Sequence, residues 1–114
     1  MVFMFLMLMV SACKKPKTEI PPGIISPDSM VLVMTDVHIA EAAVVQKNLN
    51  GDTGTVYAAS FYRFIFEKHH ITETVYRNSV AFYNAHPDEY DKIYSQVLTE
   101  ISKRQADNMQ KQNQ

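Results

Sequence analysis

The sequence predicts a small all-α fold, a bundle of about four helices over residues 28–105. Between Ser26 and Ile101 apolar residues recur at spacings of three and four, as on the buried face of a helix. Residues that favour helix starts, such as Ser26 and Thr72, precede these segments, and one glycine-containing polar run separates the first two. The 114 residues contain one cysteine, so a single core without an internal disulfide must stabilise the domain.

The first two helices are separated by the polar run "NLNGDTGT". Ser26 is a favourable N-cap for the first helix, and Pro27 suits its first position. The second helix is predicted from Val56 to His69, with Thr55 as its cap. The apolar face of the first helix is predicted to contain Met30, Val33, Met34, Val37, Ala40 and Val44.

Two more helices follow. Thr72 caps the third, and Pro87 begins the fourth. Beyond Ile101 the apolar face disappears, so we expect the helix to fray and residues 106–114 to form a polar tail. The fourth helix is predicted to bury one stripe, formed by Tyr90, Ile93, Tyr94, Val97, Leu98 and Ile101.

The N-terminal segment has the pattern of a lipoprotein signal peptide. Residues 1–12 are apolar but too short to span a bilayer, and "VSAC" matches the bacterial lipobox. Cys13 is therefore the predicted lipidation site and membrane anchor. Residues 1–9 contain no Lys or Arg, so either the amine of Met1 supplies the charge that such signals carry or the true start lies upstream. Residues 13–27 contain four prolines and a glycine, which predicts a flexible tether.

Several motifs resemble one family. They are "DVHIAEA", the helix start "HIT", "SVAFY" and "HPDEY", in that order between Ile20 and Ile101. This segment resembles domain of unknown function 4296, found in small lipoproteins of Bacteroidota. The resemblance implies a helical fold and an outer-membrane anchor, and it brings no catalytic residues. Exported lipoproteins of that group carry an acidic stretch after the cysteine, whereas Lys14 and Lys15 follow Cys13 here, which favours the periplasmic side.

Charge and motifs exclude several functions. A net charge of −1 and a pI near 6.4 argue against nucleic-acid binding. Asp36 and His38 point about 160° apart on a helix, so only His38 and Glu41 can be neighbours, as a polar pair. His69 and His70 are adjacent and cannot both chelate one ion, and the "DTG" at Asp52 lacks the context of an aspartic protease. We therefore predict no catalytic residue, metal site or cofactor.

Asp36 lies within the apolar run "VLVMTDV". A carboxylate in that position is predicted to be half-buried and to need a partner. We predict Arg63, Arg77 or a helix N-terminus as that partner, in a structural role.

The second helix has two apolar faces, and two interpretations stay open. Either it is the central helix of the bundle, or the face of Ala59, Tyr62 and Phe66 is partly exposed and contacts another protein. The resulting function prediction is a membrane-anchored accessory or scaffold subunit that contacts another envelope protein. A chaperone-like binder of extended envelope clients is the alternative, and a metal-dependent envelope enzyme is the least favoured class.

Overall fold

The computed structural model describes residues 17–47 and 51–114 and confirms the all-α prediction. The predicted signal peptide and Cys13 lie outside the described residues. In the part that is described, no helix is both long and apolar enough to cross a membrane. The four helices are α1 (Pro27–Gln46), α2 (Gly51–Lys68), α3 (Glu73–Asn84) and α4 (Pro87–Gln112).

The central helix is α1, which packs against α2 on one side and α4 on the other. Its N-terminus has the predicted cap, because the Ser26 side chain accepts a hydrogen bond from the Ser29 N–H. Of the two interpretations of the second helix, the one that makes it the central helix is wrong. Buried residues extend around more than half the circumference of α1, whereas in α2 only Gly54 and Ile65 are buried. The buried residues of α1 are Met30, Val31, Val33, Met34, Thr35 and Val37.

The second helix begins earlier than predicted, at Gly51 instead of Val56, so the prediction of Thr55 as its cap is wrong and Thr55 lies inside the helix. Asp52 lies in its first turn, where a carboxylate complements the positive end of the helix. At the other end His70 adopts a left-handed conformation (φ 53°). The Ile71 N–H then donates to the Phe66 carbonyl at 3.0 Å, a Schellman-type cap that turns the chain towards α3.

The buried stripe of α4 is narrower than predicted. Ile93 and Val97 are buried at 1% and 0% exposure, but Tyr94 and Leu98 are 39% and 50% exposed. The stripe narrows because α1 and α3 cover only one side of α4. The helix also continues past Ile101 to Gln112 instead of fraying, since this polar segment consists largely of good helix formers.

The chain before α1 packs across the helices, and we call residues 20–26 the N-terminal strap. The Ile25 N–H donates to the Ser79 hydroxyl at 2.9 Å, and the Tyr83 hydroxyl donates to the Ile25 carbonyl at 2.6 Å. Ile20 and Ile24 contact the main core. The predicted tether over residues 13–27 was therefore too long, because its isoleucines bury apolar surface and its backbone is held by α3.

The Ser79→Ala variant is expected to loosen this strap. It would leave the N–H of the buried Ile25 without a partner, which costs about 1–3 kcal/mol. Chemical denaturation should show the lower stability, and hydrogen exchange should show faster exchange at Ile25. The matched control is Ser102→Ala. Ser79 and Ser102 each donate a hydrogen bond to the carbonyl four residues earlier, but Ser102 is exposed. Equal stabilities of the two variants would contradict the role of Ser79.

Candidate functional site

The three residues predicted as a partner surface line one groove between α2 and α3. Ala59 lies at its edge, while Tyr62 and Phe66 are half-buried. Three rings follow one another in it, with centroids 5.9 Å apart for Tyr62 and Phe66 and 5.3 Å apart for Phe66 and Tyr76. We call this the α2–α3 groove, and its volume is about 690 Å³. It is lined by Ala59, Tyr62, Arg63, Phe66, Glu67, Ile71, Glu73, Tyr76 and Arg77.

Charged side chains flank the rings of the α2–α3 groove. Arg63 and Glu67 come from α2, and Glu73 and Arg77 come from α3. Glu73 and Arg77 form an ion pair on the surface. Arg63 makes no hydrogen bond or ion pair with any residue in 17–47 or 51–114, so its guanidinium is available to a partner. The groove therefore combines an aromatic floor with charges of both signs.

The opposite face of α2 is also open in places. Tyr57 is 45% exposed and Phe64 is 63% exposed, so the interpretation that both faces of this helix are internal is wrong. Phe61 is half-buried beside a second, apolar groove of about 310 Å³, the α1–α2 groove. This groove is lined by Val37, Ala40, Glu41, Val44, Val45, Ala58, Phe61, Tyr62 and Ile65.

The predicted polar pair lies at a third concavity, between α1, α3 and α4. His38 Nδ1 lies 3.8 Å from Glu41 Oε2, and the Tyr62 hydroxyl donates to Glu41 Oε1 at 2.7 Å. Burial raises the pKa of Tyr62, and its hydrogen bond to the Glu41 carboxylate raises it further. We call this concavity the Glu41 pocket. It holds about 250 Å³ and is lined by Met30, Met34, Val37, His38, Glu41, Tyr76, Val80, Tyr83, Asn84 and Tyr90.

Asp36 is the centre of an ion cluster that joins α1 to the end of α2 and to α4. Its carboxylate accepts from Lys68 at 2.8 Å and from Arg104 at 2.6 Å, and lies 2.7 Å from His69 Nε2. Burial alone would raise the pKa of Asp36, but the bonds from Lys68, Arg104 and His69 outweigh it and lower the pKa to about 2. The predicted partners Arg63 and Arg77 were wrong, because both arginines lie at the α2–α3 groove.

Two histidines lie beside a carboxylate, His38 beside Glu41 and His69 beside Asp36. Among the residues that the structure describes, Asp36 is the only carboxylate within ion-pair distance of His69, and it also binds the cations of Lys68 and Arg104. His86 is paired with a backbone carbonyl, that of Phe82, at 2.7 Å. Among residues 17–47 and 51–114, no three His, Cys, Asp or Glu side chains lie close enough to hold a metal ion.

Sequence reasoning missed Tyr76 and Tyr90 as parts of the Glu41 pocket. Both are half-buried, as is typical of a tyrosine that buries its ring and keeps its hydroxyl accessible. A tyrosine at the border of an apolar stripe, facing a His–Glu pair on another helix, is the signal that could have indicated Tyr76 and Tyr90. That signal can be recognised only once the packing order of α1, α3 and α4 is known.

The model of one protein family, Domain of unknown function (DUF4296), matches residues 21–107 of the chain. The chain belongs to the DUF4296 family. The match begins in the N-terminal strap and ends within α4, so the DUF4296 domain includes the strap as well as the four helices. No curated protein and no solved structure matched the chain.

Proposed function

We propose that this chain is a lipoprotein of the cell envelope, anchored through Cys13 in the outer membrane and facing the periplasm. Its DUF4296 domain acts by protein contact, as an accessory or scaffold subunit of an envelope assembly. The α2–α3 groove is the observation that carries this proposal. The anchor itself rests on the lipobox at Cys13 and on the apolar run before it.

The composition of the α2–α3 groove favours a protein as its ligand. Interfaces between proteins are enriched in Tyr, Phe and Arg, and their strongest contacts are aromatic and arginine side chains in concave sites. Here Tyr62, Phe66 and Tyr76 form the floor, and Arg63 and Arg77 lie at the rim. A polar rim around an apolar floor is the arrangement of a binding surface.

A photo-crosslinking residue at position 59 tests the scaffold role. Ala59 is exposed at the edge of the groove, so a probe there reaches a bound partner without disturbing the Tyr62 to Glu41 bond. In living cells we expect one defined envelope protein to be captured. The matched control is the same probe at Ala81, which is exposed on α3 and does not line the groove. Identical captures from both positions, or no capture from position 59, would refute the scaffold role.

The chaperone-like alternative has its own supporting observation. The α1–α2 groove is almost wholly apolar, and Val45 beside it is 76% exposed. Such a surface suits extended apolar segments of many clients. Capture of many unrelated proteins by the same probe at the exposed Val45, which lines the α1–α2 groove, would favour this alternative over the scaffold role.

The anchor is tested by metabolic labelling with palmitate. We expect the full chain to take up label and to fractionate with the outer membrane. A Cys13→Ser chain should take up none, because its hydroxyl does not replace the thiol that receives the lipid. Labelling of the Cys13→Ser chain would contradict the proposed anchor.

A further inference from the structure

The Glu41 pocket has an apolar floor and a polar mouth. Met30, Val37 and Tyr83 are buried to 1%, 4% and 1% exposure and form the floor with Met34. Glu41 and Asn84 are exposed, so they lie at the mouth. A ligand that fills the pocket must therefore be apolar at one end and polar at the other.

The charge at the mouth is negative and lacks a permanent counter-charge. Glu41 is the only acidic residue in the lining, which contains no Lys or Arg. Glu73, Glu89 and Glu100 each pair with a lysine or arginine. In the part of the chain that the structure describes, Glu41 contacts only the Tyr62 hydroxyl and His38 among polar groups.

The field of this carboxylate extends into the pocket. Burial raises the pKa of Tyr76, and the charge of Glu41 raises it further. A cation at the mouth would lie within the same field and would be attracted by it.

Aromatic rings around the mouth add to this attraction. Tyr76 and Tyr90 both line the pocket and are half-buried. Tyr90 is stacked on Tyr94, with ring centroids 6.0 Å apart, and the His38 ring meets Tyr94 edge-on at 6.1 Å. The faces of tyrosine rings carry negative electrostatic potential and bind ammonium groups. Two rings and one carboxylate that has no lysine or arginine partner together favour a cation over a neutral or an anionic group.

We propose that the Glu41 pocket binds a small aliphatic amine in its protonated form. Its alkyl part lies against the half-buried Val80 and the small exposed part of Met34, and its ammonium group lies at the mouth, beside Glu41 and the rings of Tyr76 and Tyr90. The volume of about 250 Å³ limits the ligand to a short chain. This site is distinct from the protein-docking surface proposed above, although Tyr76 borders both.

The probe is n-butylammonium, titrated into the ¹⁵N-labelled full chain in uncharged maltoside micelles at low ionic strength, where screening is weak. We expect saturable shifts of the backbone signals of residues 38, 41, 76 and 90. Butanol, which has the same alkyl chain without the charge, should bind at least about 10-fold more weakly, since it gains neither the ion pair nor the cation–π contact. Equal affinities of butylammonium and butanol would overturn the proposal.

Two variants test whether Glu41 and Tyr90 cause the preference for butylammonium over butanol. Glu41→Gln keeps an acceptor for the Tyr62 hydroxyl and removes the charge, so it should reduce the preference for butylammonium over butanol to within about 2-fold. Tyr90→Leu keeps apolar volume and removes one ring, so it should weaken butylammonium binding by about 3-fold. The matched control is Glu67→Gln, which makes the same charge change on α2, in the lining of the α2–α3 groove and not of the Glu41 pocket. An unchanged preference in Glu41→Gln would refute the site.

A final titration tests whether the natural ligand is a free amine or the lysine side chain of another protein. Nα-acetyl-lysine methylamide carries the same ammonium, but its bulky end is at the opposite terminus, so it should bind more weakly than butylammonium if a free amine is the natural ligand. Tighter binding of the lysine derivative would contradict a free amine as the natural ligand. The pocket would then recognise the ammonium group of a lysine side chain on another protein. Failure of every amine to bind overturns this proposal and leaves the crosslinking result from position 59 unaffected.

Discussion

A chain that carries Ile93→Asp is expected to lose the folded state of its DUF4296 domain. Ile93 is 1% exposed and belongs to the main core with Tyr83 and Val97. The substitution removes about 2–3 kcal/mol of apolar burial and places a carboxylate in the core, which costs several kcal/mol more. The total is comparable with the whole stability of a domain of this size, about 5–15 kcal/mol. Circular dichroism should show no cooperative melting transition.

The matched control for Ile93→Asp is Leu98→Asp. It introduces the same carboxylate into the same helix, but Leu98 is 50% exposed, so its charge stays in water. We expect Leu98→Asp to melt cooperatively with a loss of about 1 kcal/mol or less. A stable Ile93→Asp chain, or equal losses in the two variants, would show that α4 does not pack on α1 as described.

The second large effect is expected from Asp36→Asn. The Asp36 side chain is 10% exposed and lies among Lys68, His69 and Arg104. Without its charge, these groups lose their common partner and the connection between α1, α2 and α4 weakens. Lys68 and Arg104 are themselves 49% and 33% exposed and can turn towards water, so we expect a loss of about 2–3 kcal/mol. Denaturant unfolding at neutral pH measures this loss.

The ion cluster around Asp36 predicts that the stability of the fold depends on pH in the acid range. The pKa of Asp36 is about 2 in the folded chain, below its ordinary value of 3.8. The unfolded chain therefore binds the proton first, and the contribution of Asp36 is complete above pH 4 or so and is lost as the pH falls to about 2. Because the cations are partly exposed, we expect this contribution to be about 1–2 kcal/mol.

The acid-range effect should be absent from Asp36→Asn. The control is Asp91→Asn, which removes an exposed carboxylate from α4 and should keep the pH dependence of the unchanged chain. If Asp36→Asn and the unchanged chain lose stability in parallel between about pH 4 and pH 2, the cluster does not stabilise the fold in the way proposed.

Much of the local structure could be predicted from the sequence because it depends on neighbouring residues. The side chains of Ser26 and Thr72 each cap a helix by accepting a hydrogen bond from the backbone N–H three residues later. The start of α2 could not be predicted as well, because Gly51 and Gly54 have low helix propensity. Gly54 is buried, and the fit of a residue without a side chain at that position depends on the packing of α2.

The candidate sites show the same difference between features of one helix and contacts between distant segments. That Ala59, Tyr62 and Phe66 line one groove could be predicted because the three residues share one face of a single helix. The partners of Asp36 could not, since Lys68 and Arg104 lie 32 and 68 residues away in sequence. Nor could the Glu41 pocket, which requires α1, α3 and α4 to meet.

The sequence by itself determined the helical class, the caps at Ser26 and Thr72, the family and the pattern at Cys13, because each depends on residue types at short, fixed spacings. The tertiary structure decided that α1 is central, that the strap packs on Ser79 and Tyr83, and that Lys68, His69 and Arg104 surround Asp36. These features depend on contacts between distant segments. Such contacts are selected by the combined burial of several helices, and no single helix encodes them.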